Sequence, residues 1–269
     1  MRIAKLVRAV VPAATAIACS DPSLTAPTAP AARVPDGPQL ITGGQPTGSA
    51  YGGVGAVLID VGGDLTVDFI CTGSLISPTV FLTAGHCVFG AGTVYYVTFA
   101  PDVLPLPPIS ELIPSATAFA SPNDDLGVII LPPGTTTGIP VYDIPSLGLL
   151  TELNAHGGLA RDRAIIVGYG VSSLGGMQTS GLDGVRKVAT TKILSLLGRQ
   201  LVIRGANGNS SLGGVCFGDS GGPLFLASDP EMVVAVASVV LLEGCQALAG
   251  HVRIDTPTAL AFLGQYVAL

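Results

Sequence analysis

The chain has 269 residues and a net charge of −6, with 48% hydrophobic and only 11% charged residues, a mean hydropathy of +0.62 and a pI near 4.8. That length and apolar content suit one large all-β domain or two ordinary domains, and they set disorder aside. Scattered lysines and arginines exclude the basic footprint of a nucleic-acid partner, and apolar runs such as MVVAVASVVLL fall short of the ~18 residues that span a bilayer.

Residues 1–18 read as an export signal: Arg2, Lys5 and Arg8 precede an apolar stretch, and Ala16-Ile17-Ala18 lies just before Cys19. Ala-Ile-Ala suits an ordinary signal peptidase, whereas a small residue before Cys19 also resembles a bacterial lipoprotein box, in which Cys19 would carry lipid and anchor the chain to a membrane. Both readings stay open and both cut before Cys19. Pro12 and the shortness of the apolar run weigh against a buried N-terminal helix. Residues 19–40, with Pro22, Pro27, Pro30, Pro35 and Pro38, form an extended tether or propeptide with no fold of its own.

From Ile41 onward short β-branched or apolar runs recur between turn residues: VGAVLID, DFICTGSLI, VFLTA, TVYYVTFA, LGVIIL, AIIVGYG, LVIRG, PLFL, MVVAVASVV and HVRI. That rhythm predicts an all-β sandwich or barrel. It breaks near SLGLLTELNAHGG, which divides the folded part into 41–150 and 151–269. At the far end Thr256 can cap a helix, Pro257 suits its first turn, and Leu260, Leu263 and Val267 line one face.

Five cysteines in an exported chain leave one over after two pairs. Cys19 is the natural odd one, and Cys71 with Cys87 and Cys216 with Cys245 are the local groups. Local pairing is the simplest of the connectivities that four cysteines allow, each bridge worth about 3 kcal/mol. The spacings are not C-x-x-C and no histidine clusters with all four, so no metal is expected. No cofactor is called for either.

Three residues carry candidate chemistry. His86 in LTAGHC follows a predicted strand beside Cys87, Asp125 in NDDLGVIIL opens a strand, and Ser220 sits in GVCFGDSGGP. Each has an ordinary reading alone: a structural imidazole, a turn aspartate and a loop serine. Together they offer a base, a carboxylate to orient it and a nucleophile. Asp125 is preferred to its neighbour Asp124 because the apolar strand follows it directly.

In this order, and from Ile41 to the C-terminus, the sequence resembles the trypsin/chymotrypsin-like serine proteases. LTAGHC resembles the family's T-A-A-H-C with Gly85 for an alanine, DLGV resembles D-[IL]-A-[LV] with Gly127 for an alanine, and GDSGGP matches unchanged. Neither glycine is read as touching a functional group. The resemblance implies two packed antiparallel Greek-key β-barrels with a C-terminal helix, and a secreted serine endopeptidase acting on polypeptides. It implies His86 as general base, Asp125 as its orienting partner, Ser220 as nucleophile, the N–H groups of Gly218 and Ser220 as the oxyanion hole, and Ser238 beside them.

ITGGQP resembles the I-V-G-G that begins mature family members, so cleavage between Leu40 and Ile41 would free an amine to pair with Asp219. A plain strand start is the alternative. By the family's pattern Gly214, six residues before Ser220, is the pocket floor and Val240 lies at its neck. The resemblance thus implies a shallow pocket for small or medium apolar side chains. His251 falls near the far pocket wall and is read as structural; His156 is read as a loop residue.

GDSGG also satisfies the G-x-S-x-G of α/β-hydrolases. That fold's chain order would crowd Ser220, Asp229 and His251 into the last stretch of sequence and leave His86 unexplained. A catalytically inactive protease-like binding module is the rival from another class, although no member of the three is missing.

Overall fold

A computed structural model describes residues 44–170, 184–205, 213–240 and 248–269. After a two-residue strand β1 (Gln45–Pro46), the chain forms β2 (Val54–Asp60), β3 (Phe69–Ser77), β4 (Val80–Thr83), β5 (Val94–Thr98), β6 (Ile113–Ser115), β7 (Ala118–Ala120) and β8 (Gly127–Ile130). Their sheet runs β6-β5-β2-β3-β4-β8-β7. β5 returns to lie beside β2, the fourth strand beside the first, which is the Greek-key order. β6 and β7 are one extended stretch interrupted at Ala116 and Thr117, and they pair with opposite ends of the sheet, closing it into a barrel. Ser115 Oγ donates to Ile130 O at 2.6 Å and Ile130 N to Thr117 O at 2.8 Å, stitching the closure.

Two short helices, α1 (Leu149–Ala155) and α2 (Gly158–Arg161), stand where the strand rhythm breaks. Then follow β9 (Arg163–Gly168), β10 (Lys187–Leu197), β11 (Gln200–Arg204), β12 (Pro223–Leu226), β13 (Asp229–Val240), β14 (Leu248–Arg253) and α3 (Pro257–Leu263). Their sheet runs β1-β10-β11-β14-β13-β12-β9, and β9 also pairs with β10, so six strands close a second barrel with β1 added at β10. β12 lies beside β9, again in Greek-key order. The fold is therefore all-β, two antiparallel barrels with a C-terminal helix. β10, absent from the apolar runs of the sequence, carries Thr190, Thr191 and Lys192 at its centre.

Strand alternation divides the cores. Ala164 and Ile166 of β9, and Leu224 and Leu226 of β12, point into the second barrel. Ile165, Val167 and Phe225 point the other way and join the first barrel's core. Phe225 packs against Tyr142 and Tyr51, with ring centroids 4.9 and 5.8 Å away. Thr256 Oγ1 accepts from Ala259 N at 3.2 Å to cap α3, whose Ala259, Phe262 and Leu263 sit in that same core. Each large side chain buried there contributes about 1.5–3 kcal/mol.

Arg186, 1% exposed, ties these parts together. Its Nη1 donates to Val54 O at 2.8 Å and Phe99 O at 3.0 Å in the first barrel. Nη2 reaches Gly48 O and Ala50 O at 3.2 and 3.1 Å, and Nε reaches Thr47 Oγ1 at 2.9 Å.

Candidate active site

β4 ends at Thr83 and the chain makes one 3-10 turn over Gly85–Cys87, which carries His86. The Cys71–Cys87 disulfide binds this turn to β3. β8 runs beside β4 with Thr83 opposite Gly127, bringing Asp125, two residues before β8, against the turn. That closeness depends on glycine: a Cβ on Gly127 would lie 2.8 Å from Ala84 O and 2.7 Å from Val88 Cγ2. At Gly85 it would lie 3.0 Å from Asp125 Oδ1. The departure at Gly85 thus does border a functional group, contrary to the sequence reading, since a methyl there would press on the carboxylate.

Asp125 is gripped from three directions. His86 Nδ1 lies 2.8 Å from Oδ2, His86 N donates to Oδ1 at 2.8 Å, and Ser238 Oγ donates to Oδ2 at 2.6 Å. Burial disfavours the charge, but the bonds from the His86 ring, the Ser238 hydroxyl and the His86 backbone outweigh it and hold the carboxyl below its ordinary value. An ionised Asp125 fixes the proton of His86 on Nδ1, leaving Nε2 free as an acceptor. Ser238 reaches this position from a bulge in β13, where register shifts between Ala237 and Val239.

The turn of Ser220 is stitched to both barrels. Gly221 N donates to Ala237 O at 2.8 Å and Ala237 N to Gly222 O at 2.9 Å, while Thr72 N donates to Ser220 O at 2.8 Å. Cys87 Sγ lies 3.9 Å from Ser220 O, so the His86 turn and the Ser220 turn abut. Gly221 has φ +84°, and a Cβ there would strike Thr83 Oγ1 at 2.1 Å and Thr72 O at 2.2 Å; only glycine fits. Among the described residues the N–H groups of Gly218 and Ser220 donate to no acceptor and Ser220 Oγ makes no hydrogen bond. Backbone donors left without an acceptor in such a turn can bind a developing oxyanion.

A sequence model of the trypsin family matches residues 49–259. The chain belongs to the trypsin family. It is 30% identical over 193 residues to brachyurin of Leptuca pugilator, covering 66% of this chain and 79% of that one. Among solved structures, HL collagenase superposes with a TM-score of 0.63 at 20% identity, over 84% of this chain and 97% of its own. Human heparin binding protein gives 0.62 at 17% identity, over 84% and 95%.

Within this trypsin-family frame, Asp219 is 1% exposed and its carboxylate accepts from Gly170 N and Cys216 N at 2.8 Å each. A Cβ on Gly168 or Gly170 would lie 2.2 or 2.4 Å from it, so the glycines of VGYG let the backbone close on the acid. Ile41, its expected partner, lies outside the described residues, as do Cys19 and Cys245. Cys216 is disulfide-bonded. Gly214 is buried and Val240 half-buried at the end of β13. Phe217, beside Gly218 and 53% exposed, was not anticipated.

The sequence also gave no hint of Thr72. Wholly buried, its Oγ1 donates to Gly218 O at 2.8 Å and accepts from Tyr169 N at 3.1 Å, coupling β3 to the turn that would hold an oxyanion. His251 is also wholly buried, across from Ala237 on β14. Neither ring nitrogen meets a partner at hydrogen-bonding geometry. Burial, outweighing the pull of the Ala249 backbone, pushes its pKa down to about 3 and keeps the ring neutral. Among the described residues no three His, Cys, Asp or Glu side chains gather as a metal site.

Proposed function

We propose that this chain is an exported serine endopeptidase in which His86, Asp125 and Ser220 hydrolyse peptide bonds through an acyl-enzyme. Ser220 Oγ attacks the substrate carbonyl while His86 Nε2 accepts its proton. Asp125 holds the ring and stabilises the imidazolium, and the N–H groups of Gly218 and Ser220 receive the oxyanion. His86 then passes its proton to the leaving amine, and water releases the acyl group by the reverse route. The observation that carries this reading is the carboxylate of Asp125 held at 2.8 Å by both the ring and the backbone of His86, next to the Ser220 turn.

In the same reading Gly214 floors the pocket and Val240 narrows it, giving loose preference for small or medium apolar side chains, since a methylene there discriminates by only ~1–3 kcal/mol. Cleavage before Ile41 frees an amine for the buried Asp219, Cys216 pairs with Cys245, and a lipid on Cys19 would retain the protein at a bacterial surface. The test is a fluorophosphonate probe applied to the purified mature protein. Wild type is expected to label, and Ser220→Ala and His86→Ala not to. A folded wild type that stays unlabelled although its chain begins at Ile41 would instead be a binding module.

A further inference from the structure

Arg199 is the second residue of the two-residue turn between β10 and β11, with Leu197 paired to Gln200 and Gly198 at φ +53°. Arg253 fixes this turn from below: its N donates to Arg199 O at 3.0 Å and its Nη1 to Gly198 O at 2.8 Å. The Arg253 guanidinium is itself locked by two 2.9 Å bonds to Asp255. From that base the Arg199 side chain reaches the other barrel. Its Nη1 lies 3.1 Å from Asp124 Oδ1 and donates to Asn123 O at 2.6 Å.

Asp124 immediately precedes Asp125. Its side chain is 2% exposed, and its Oδ2 is buried with no hydrogen-bond partner. A carboxylate withdrawn from water with one oxygen unserved is stable only beside a cation. The loop is otherwise held by its own short bonds. Ser121 Oγ accepts from Asn123 N and Asp124 N at 3.3 Å each, and Leu126 N donates to Asp124 O at 2.8 Å, closing a tight turn around Asp125. Any drift of Asp124 toward water is therefore passed to Asp125.

We propose that Arg199 is a positioning residue: by neutralising the buried Asp124 across the barrel boundary, it keeps Asp125 on His86. The proposal rests on the reading of His86, Asp125 and Ser220 as the reacting set. Arg199 is half exposed while Asp124 is not, so the pair is one-sided. Losing the cation strands a buried charge, whereas losing both charges leaves no buried charge unpaired.

The measurement is the rate of fluorophosphonate labelling of Ser220 in the mature protein, with folding followed by thermal melting. Arg199→Gln is expected to slow labelling about tenfold or more in folded protein, the scale of a small misplacement of reacting groups. Arg199→Lys is expected to retain most of the rate. The double variant Arg199→Gln/Asp124→Asn is expected to recover most of it, because the stranded charge is gone; a role limited to packing of the arginine stem would not recover. Wild-type labelling by folded Arg199→Gln, or a double variant as slow as the single, would overturn the proposal. Should Arg199→Gln fail to fold, the double variant decides alone: near wild-type labelling supports the proposal, and slow labelling sinks it. A wild type whose labelling survives Ser220→Ala removes the reading of the reacting set and the proposal together.

Discussion

Thr72 does with one hydroxyl what the sequence motifs do not explain. It gives a bond to Gly218 O and takes one from Tyr169 N, while its backbone N–H holds Ser220 O. Thr72→Val keeps the shape and removes the hydroxyl, leaving the half-buried Gly218 carbonyl and the buried Tyr169 N–H without that partner. A stability loss of about 1–3 kcal/mol is expected, with slower labelling of Ser220, while Thr72→Ser should behave as wild type. Urea unfolding and probe kinetics on the same samples check this. A valine variant that labels at the wild-type rate would mean the turn is held without Thr72.

Among the elements, β14 carries a liability in His251, whose pKa is pushed down to about 3 from an ordinary 6.5. Above the ordinary value the ring is neutral folded and unfolded. Below it only the unfolded chain takes up the proton, so stability falls as pH drops toward the folded value. His251→Leu is expected to be increasingly more stable than wild type as pH is lowered from about 7 to about 5. Urea midpoints at both ends check it, and a constant difference would show that His251 is not the titrating group. The strands legible in the sequence were those with unbroken apolar runs, such as VGAVLID, which is β2. β10 was hidden because three neighbours, β1, β9 and β11, satisfy its backbone while its centre stays polar. β1 was hidden because two residues carry no period and their partner lies far along the chain. The site divides in the same way. Of the candidate residues, His86, Asp125, Ser220 and Ser238 were legible as candidates because short motifs enclose them, whereas the contacts of Thr72, Gly168, Gly170 and the Arg199–Asp124 pair join distant segments and leave no local mark.

At the scale of the whole molecule, Arg186, which leads into β10 of the second barrel, binds carbonyl groups of the segment 47–50 and of the first barrel, the one at Val54 buried. Arg186→Met removes the donor and strands those carbonyls, so a loss of about 3 kcal/mol or more is expected in urea unfolding. An unchanged midpoint would show that the tie contributes nothing. The two ends of the described chain also exchange allegiance. β1, which precedes the first barrel, pairs with the second, and α3, which follows the second, packs into the first, where Tyr266 stacks on Phe119 with centroids 5.2 Å apart. The barrels are clasped rather than strung together. The ribosome delivers β1, His86 and Asp125 early, Ser220 and Ser238 late, and α3 later still, so a nascent chain holds half of the proposed reacting set and a β1 without its partner strand. On the proposed reading, the arrangement withholds the assembled site until synthesis is nearly complete, a safeguard set by the order of the chain itself.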